Sequence, residues 1–188
     1  MKQVKLARRG YLIISAIFYI AAAVCLVKPE LSPKTVCVGS GLILIAYGII
    51  KIIGSFSSDL YCLAFQYDLA CGLLLIVLGI IVLLRWEIVQ TYLLAGLGGL
   101  ILVDNFLAIQ MSYDAKRYGI GEWGAILIIA ILTSCFAILL ITQWNPTFLQ
   151  SHFVAGIALL SEGVKNQYVV FYTVKIMNDG KPRDNDDD

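Results

Sequence analysis

The chain has 188 residues, of which 60% are hydrophobic and 14% charged; its mean hydropathy is +0.84 and its formal net charge +1. An apolar share well above that of a soluble domain predicts an integral membrane protein. The charges lie in short clusters between apolar runs, so there is no basic surface for nucleic acid, and a nucleic-acid partner is excluded.

The first nine residues carry Lys2, Lys5, Arg8 and Arg9, and the apolar run from Tyr11 to Val27 follows directly. This layout suits either a signal peptide or a first transmembrane helix, and the repeat described below favours a retained helix. A short break with Pro29 and Pro33 leads to a second helix, Thr35 to Phe56, about the 20 residues a bilayer core requires. Lys51 near its end is expected to snorkel to the headgroups. A weakly polar connection, Ser55 to Gln66, precedes a third run from Tyr67 to Leu84 and a fourth from Ile88 to Gln110, with Trp86 between them as an interfacial anchor. Met111 to Glu122 reads as the most polar internal loop. The fifth run, Trp123 to Ile141, turns at Trp144-Asn145-Pro146 into a sixth, Ser151 to Tyr168, with an aromatic extension to Tyr172. The remainder, ending in Asp186-Asp187-Asp188, is a solvated tail.

Subtraction exposes an internal repeat. Gly41 and Gly48 shifted by 57 fall on Gly98 and Asn105, and by a further 58 on Gly156 and Gly163. At the same offsets Ser15 and Ala22 map to Gly72 and Gly79, then to Ala130 and Ala137; Pro29, Trp86 and Trp144 are also equivalent. Each helix therefore carries two compact residues seven apart, notches on one face where another backbone can approach. The predicted architecture is an all-α membrane protein of six transmembrane helices in three tandem helical hairpins (about 10–56, 67–110 and 123–172). A basic N-terminus (1–9) and a polar acidic tail (175–188) flank the domain at 10–174. The packing glycines are Gly41, Gly48, Gly72, Gly79, Gly98, Gly156 and Gly163, and Gly96-Leu97-Gly98-Gly99 reads as one packing face. Lys and Arg crowd the N-terminus, the Lys116-Arg117 loop and the tail, against Lys28, Lys34 and Arg85 opposite, which places both termini in the cytoplasm.

Three hairpins with a Pro or Trp at the turn, and even-numbered helices of the form Val38-Gly39-Ser40-Gly41-Leu42-Ile43-Leu44-Ile45-Ala46-Tyr47-Gly48 and Val154-Ala155-Gly156-Ile157-Ala158-Leu159-Leu160-Ser161-Glu162-Gly163, resemble the HdeD-like acid-resistance membrane proteins. The resemblance covers nearly the whole chain, with Asn105 replacing the glycine of the middle repeat. It implies a six-helix protein of the bacterial inner membrane, with acid-stress protection the role of the founding member and no catalytic motif to carry over.

The five cysteines, none in a Cys-x-x-Cys pair, read as small apolar core residues, and one histidine with no zinc-type spacing predicts no metal site. No phosphate loop, His-Glu-x-x-His or nucleophile elbow occurs, so neither an enzyme nor a cofactor is expected. The repeat does superpose Tyr47, Asp104 and Glu162, each just before the second notch residue. Converging on a pseudo-threefold axis, they would form a polar layer able to hold a proton or cation. The structural alternative pairs Glu162 with Lys165 one turn on and bonds Asp104 to Asn105 or a tyrosine hydroxyl, so that the layer only fixes packing. Asp68, near a helix start, is expected at the interface, and His152 reads as an exposed surface residue. Two functions follow: membrane stress protection through helix packing and association with itself or another membrane protein, or a small proton, ion or solute transporter or channel. Few polar groups favour the first; a cavity reaching the layer would favour the second.

Overall fold

The structure is a computed structural model, and it describes residues 2–27, 32–56, 68–117, 119, 121, 123–142 and 148–173. Seven helices make up these residues: α1 (Lys2–Val27), α2 (Pro33–Ser55), α3 (Asp68–Leu84), α4 (Trp86–Val89), α5 (Leu93–Arg117), α6 (Trp123–Thr142) and α7 (Phe148–Thr173). The expected turns at Pro29 and Trp144-Asn145-Pro146, most of the Ser55 to Gln66 connection and the tail 175–188 lie outside the described residues. The helix starts follow the local chemistry. Ser32 caps α2, its side chain accepting from the Thr35 amide at 3.3 Å, and Pro33 occupies the first turn, where its missing N–H costs nothing.

Several boundaries differ from expectation: α1 begins at Lys2 and takes in the basic segment read as flanking, and α7 begins at Phe148, ahead of Ser151. The region read as a loop from Met111 is helical through Arg117, because Met111, Ser112 and Ala115 are buried and give α5 an apolar face beyond the bilayer-length run. Ser112 ties that extension to α6, its hydroxyl donating to the Trp123 carbonyl at 2.7 Å. The chain then reverses at Gly119, whose φ of +72° lies in the left-handed region that glycine adopts without strain. The fourth run is also divided, into the single turn α4 and the long α5.

The repeats are joined differently from what tandem hairpins suggest. The closest pairs are α2 with α3, α5 with α6, and α7 with α1, so the second helix of each repeat packs on the first helix of the next and the third repeat returns to the first. The small residues make this possible. A Cβ on Gly48 would lie 2.6 Å from the Gly72 carbonyl oxygen, and one on Gly79 would lie 2.8 Å from that of Gly41. Gly98 abuts the Ala137 carbonyl, and Gly156 and Gly163 face the carbonyls of Ala22 and Ser15. Gly96 and Gly99 have nothing within 4 Å of a Cβ position, so the run from Gly96 to Gly99 contributes one packing glycine and not a face. Asn105 sits fully buried at the remaining notch, its amide donating to the Ile101 carbonyl of its own helix at 2.8 Å.

Around this ring the hairpin partners α1 and α2, and α6 and α7, also touch. Among the described residues α3 and α5 are the least closely packed neighbours, sharing a core cluster through Leu75, Val82 and Leu93 but no close backbone contact like that of α2 with α3, and the ring has a seam there. Outward faces are Leu- and Ile-rich, with Ile13, Leu73 and Ile128 all about 60% exposed, whereas Lys51, Asp68, Asn105, Glu162 and Lys165 are buried. Such a distribution suits lipid outside and a polar interior.

Candidate functional site: a buried ion-pair network between two cavities

The repeat separation reappears as contacts. The Tyr47 hydroxyl donates toward Asp104 Oδ2 at 3.4 Å across 57 positions, and the Tyr11 hydroxyl donates to Asp68 across the same interval. Residues at equivalent places in successive repeats thus meet inside the ring, as expected of side chains pointing to a shared axis. Asp104 is the centre. Its Oδ1 lies 2.9 Å from the Lys51 ammonium and its Oδ2 lies 2.5 Å from that of Lys165. Lys51 reaches on to Asp68 at 2.9 Å, and Lys165 to Glu162 Oε1 at 2.7 Å. The chain Glu162, Lys165, Asp104, Lys51, Asp68, Tyr11 therefore draws on α7, α5, α2, α3 and α1. The Tyr47 ring stands 4.9 Å from the Lys51 ammonium and 5.3 Å from the Phe18 ring, while its hydroxyl is also 3.3 Å from Asn166 Oδ1.

Several expectations change here. Lys51 does not snorkel: it is 5% exposed, held between two carboxylates that offset its loss of hydration better than distant headgroups would. Asp68 is not interfacial, for it is equally buried between Lys51 and Tyr11. His152 is buried too, at the far end of α7. Tyr47, Asp104 and Glu162 do converge. The tyrosine hydroxyl and the Glu162–Lys165 pair of the structural reading are both present, but Lys165 is shared with Asp104. Asp104 does not bond Asn105, whose amide is turned to its own helix. The sequence reading missed Lys51, Asp68, Tyr11 and Asn166. The same subtraction pairs Tyr11 with Asp68 and Lys51 with Asn166, a signal that was available but depended on helix rotation for its meaning.

Two properties set this network apart from a simple clamp. Asp68, Asp104 and Glu162 supply three carboxylates against the two ammonium groups of Lys51 and Lys165, leaving one negative charge in surplus where hydration is scarce. Neither Glu162 oxygen has a hydrogen-bond partner, Oε1 meeting Lys165 only as an ion pair. A surplus charge in such surroundings costs several kcal/mol unless a proton or cation joins it.

The second property is a cavity on each side. The larger, about 280 Å³, lies among α1, α2, α3, α5 and α7 and is lined almost wholly by apolar side chains. Tyr47, Asp104 and Glu162 close one end; Thr35 and His152 lie toward the other. Ten residues of α7 separate Glu162 from His152, about 15 Å of helix rise. The smaller, about 50 Å³, is bounded by Tyr11, Lys51, Asp68, Asp104, Lys165 and Asn166. At roughly 10–15 Å³ each, a few waters fit there. Asp104 borders both cavities.

Apolar helices around a buried polar layer define an all-α, multi-pass membrane protein in contact with the lipid bilayer. Four helices are long and apolar enough to cross, over Arg8–Val27, Pro33–Ser55, Leu93–Arg117 and Trp123–Thr142, and Asp68–Leu84 is a shorter apolar helix. Residues 13–84 match a family model described as a short repeat of unknown function (DUF308), which spans α1 to α3 and accords with the short-repeat resemblance. No curated protein and no solved structure matches the chain.

Proposed function

We propose that the chain is a non-enzymatic bacterial inner-membrane protein with six spans and both termini cytoplasmic, and that it passes protons or small cations through the layer of Tyr47, Asp104 and Glu162. The observation that carries this reading is that Asp104 lines both cavities. α3, at 17 residues, rises about 26 Å, and α7, at 26 residues, about 39 Å, lengths that support counting both as spans. A purely structural ion-pair network would be at its least costly when balanced and dry; this one carries a surplus carboxylate and borders open volume on both sides. Ranking transport above packing-based protection reverses the order that the composition suggests.

The test is flux. Protein reconstituted into liposomes enclosing a pH-sensitive dye is expected to dissipate an imposed proton gradient, with Glu162→Gln at least about tenfold slower. Wild-type vesicles no leakier than empty ones would remove the reading. A second reading, protection of the membrane by a rigid, associating helix bundle, draws on the backbone-to-backbone contacts at Gly48 and Gly72. Acid survival that depends on Gly48 but not on Glu162 would favour it.

A further inference from the structure

The larger cavity has a shape and a chemistry of its own. Its walls are aliphatic along most of its length, including Leu44, Leu75, Leu97 and Leu159, and its floor is the acidic end of the network. For a proton or small cation such walls leave open volume on the way to the polar layer but offer it no ligands. An amphipathic guest uses the walls as well: hydrocarbon lies against the leucines while one charged group reaches the floor.

The sign of that group follows from the floor. The network is one negative charge in surplus, and the cavity is lined by Glu162, 2% exposed, whose Oε2 has no hydrogen-bond partner. An acceptor without a donor, in a site already negative, selects a donor that carries positive charge. Lys165 does not fill this role, its ammonium meeting Asp104 at 2.5 Å and Glu162 at Oε1 and leaving Oε2 without a partner.

The route follows from the seam. Cys71 and Leu74 of α3 and Leu100 and Val103 of α5 line the cavity, and Leu74 and Val103 are each about 45% exposed. These are the least closely packed neighbouring helices of the ring, and side chains of both line the cavity between them. We propose that the α3–α5 seam is a lateral opening from the bilayer through which an amphipathic monocation, an aliphatic chain bearing one ammonium group, enters the larger cavity and binds at Glu162. This rests on the transport reading for its consequence, with the ammonium taking the place of the proton, but its binding step can be tested alone.

Cys71 lies on the proposed path and Cys135 of α6 is exposed elsewhere, both as free thiols, so the wild-type chain carries its own reporter and control. Purified protein in nanodiscs would be labelled with a lipid-soluble maleimide, and each cysteine followed by peptide mass spectrometry, in the presence of dodecylammonium, dodecanol or dodecanoate. Dodecylammonium is expected to slow labelling of Cys71 about tenfold relative to dodecanoate, with Cys135 unaffected, the size of one charge-assisted contact. Glu162→Gln should erase the difference between cation and anion. Equal protection by all three would overturn the proposal and show an unselective apolar crevice; slowing of Cys135 to the same extent would overturn it as a general membrane effect. Since the wild-type comparison needs no variant, a poorly folded Glu162→Gln protein would not rescue or sink it. Selective protection without proton flux would leave the binding site standing and remove transport, whereas flux without protection would do the reverse.

Discussion

At the scale of single residues, the decisive feature is that Lys165 and Lys51 are each shared between two carboxylates. Removing a shared ammonium strands charge. Lys165→Met leaves Asp104 and Glu162 facing each other without it and should cost about 3–5 kcal/mol, read as a lowered thermal midpoint in detergent. Adding Glu162→Gln should recover most of that loss, because one of the stranded charges goes with it. Glu162→Gln alone should stay within about 0.5 kcal/mol of wild type or above it, since Asp68 and Asp104 then balance Lys51 and Lys165. A fall comparable to that of Lys165→Met would mean that Glu162 is required as the ionised partner of Lys165, and the surplus-charge argument would fail. The expectation of a lone Glu162–Lys165 pair leads to the opposite result, so this experiment separates the two pictures.

At the scale of helices, the compact residues divide by what they meet. Gly48 and Gly72 abut each other's carbonyl oxygens, which cannot move without separating α2 from α3. Gly48→Ala should therefore cost about 1–3 kcal/mol. At Gly163 the nearest atom to an added Cβ is in the Tyr19 ring, at 2.7 Å, with the Ser15 carbonyl farther off at 3.4 Å. That ring can turn only by disturbing its hydroxyl's 2.7 Å bond to Gln167, so Gly163→Ala should cost less than Gly48→Ala but remain measurable. Gly99→Ala meets nothing within 4 Å and should be neutral or stabilising by about 0.4–1 kcal/mol through the unfolded chain. Thermal unfolding of the three variants should rank them in that order; a Gly99→Ala protein as unstable as Gly48→Ala would contradict the assignment of the notches.

At the scale of the molecule, three repeats arranged in a ring explain why equivalent positions meet. Polar side chains at one register on successive repeats turn toward one axis, and the lipid is left to the Leu- and Ile-rich outer faces. The proposed topology has its own test. A reporter active only outside the cytoplasm should be active when fused after Glu30 or Asn145 and silent after Lys116 or at the C-terminus. Activity after Lys116 would overturn the proposed orientation.

The sequence by itself determined the class and the repeat. Long apolar runs admit few structures in lipid other than helices, because every backbone N–H and C=O must be satisfied within the segment. The offsets of 57 and 58 were legible for the same local reason: notches seven apart stay on one helix face wherever that helix goes. The convergence of Tyr47, Asp104 and Glu162 was legible too, since it depends only on repeat equivalence. Only the tertiary structure decided which helix fills which notch, because Gly41 and Gly48 fit any neighbour with a compact face, and the partner proved to be the next repeat and not the hairpin mate. It alone also decided the fate of Lys51, Asp68 and His152. Their nearness to a helix end suggested exposure, whereas burial depends on which charges and hydrogen-bond donors arrive from other helices, as Asp104 of α5 does for Lys51 and Tyr11 of α1 for Asp68. The seam and the two cavities belong wholly to this level, because empty space is a property of how helices stand against one another and leaves no mark in the order of residues.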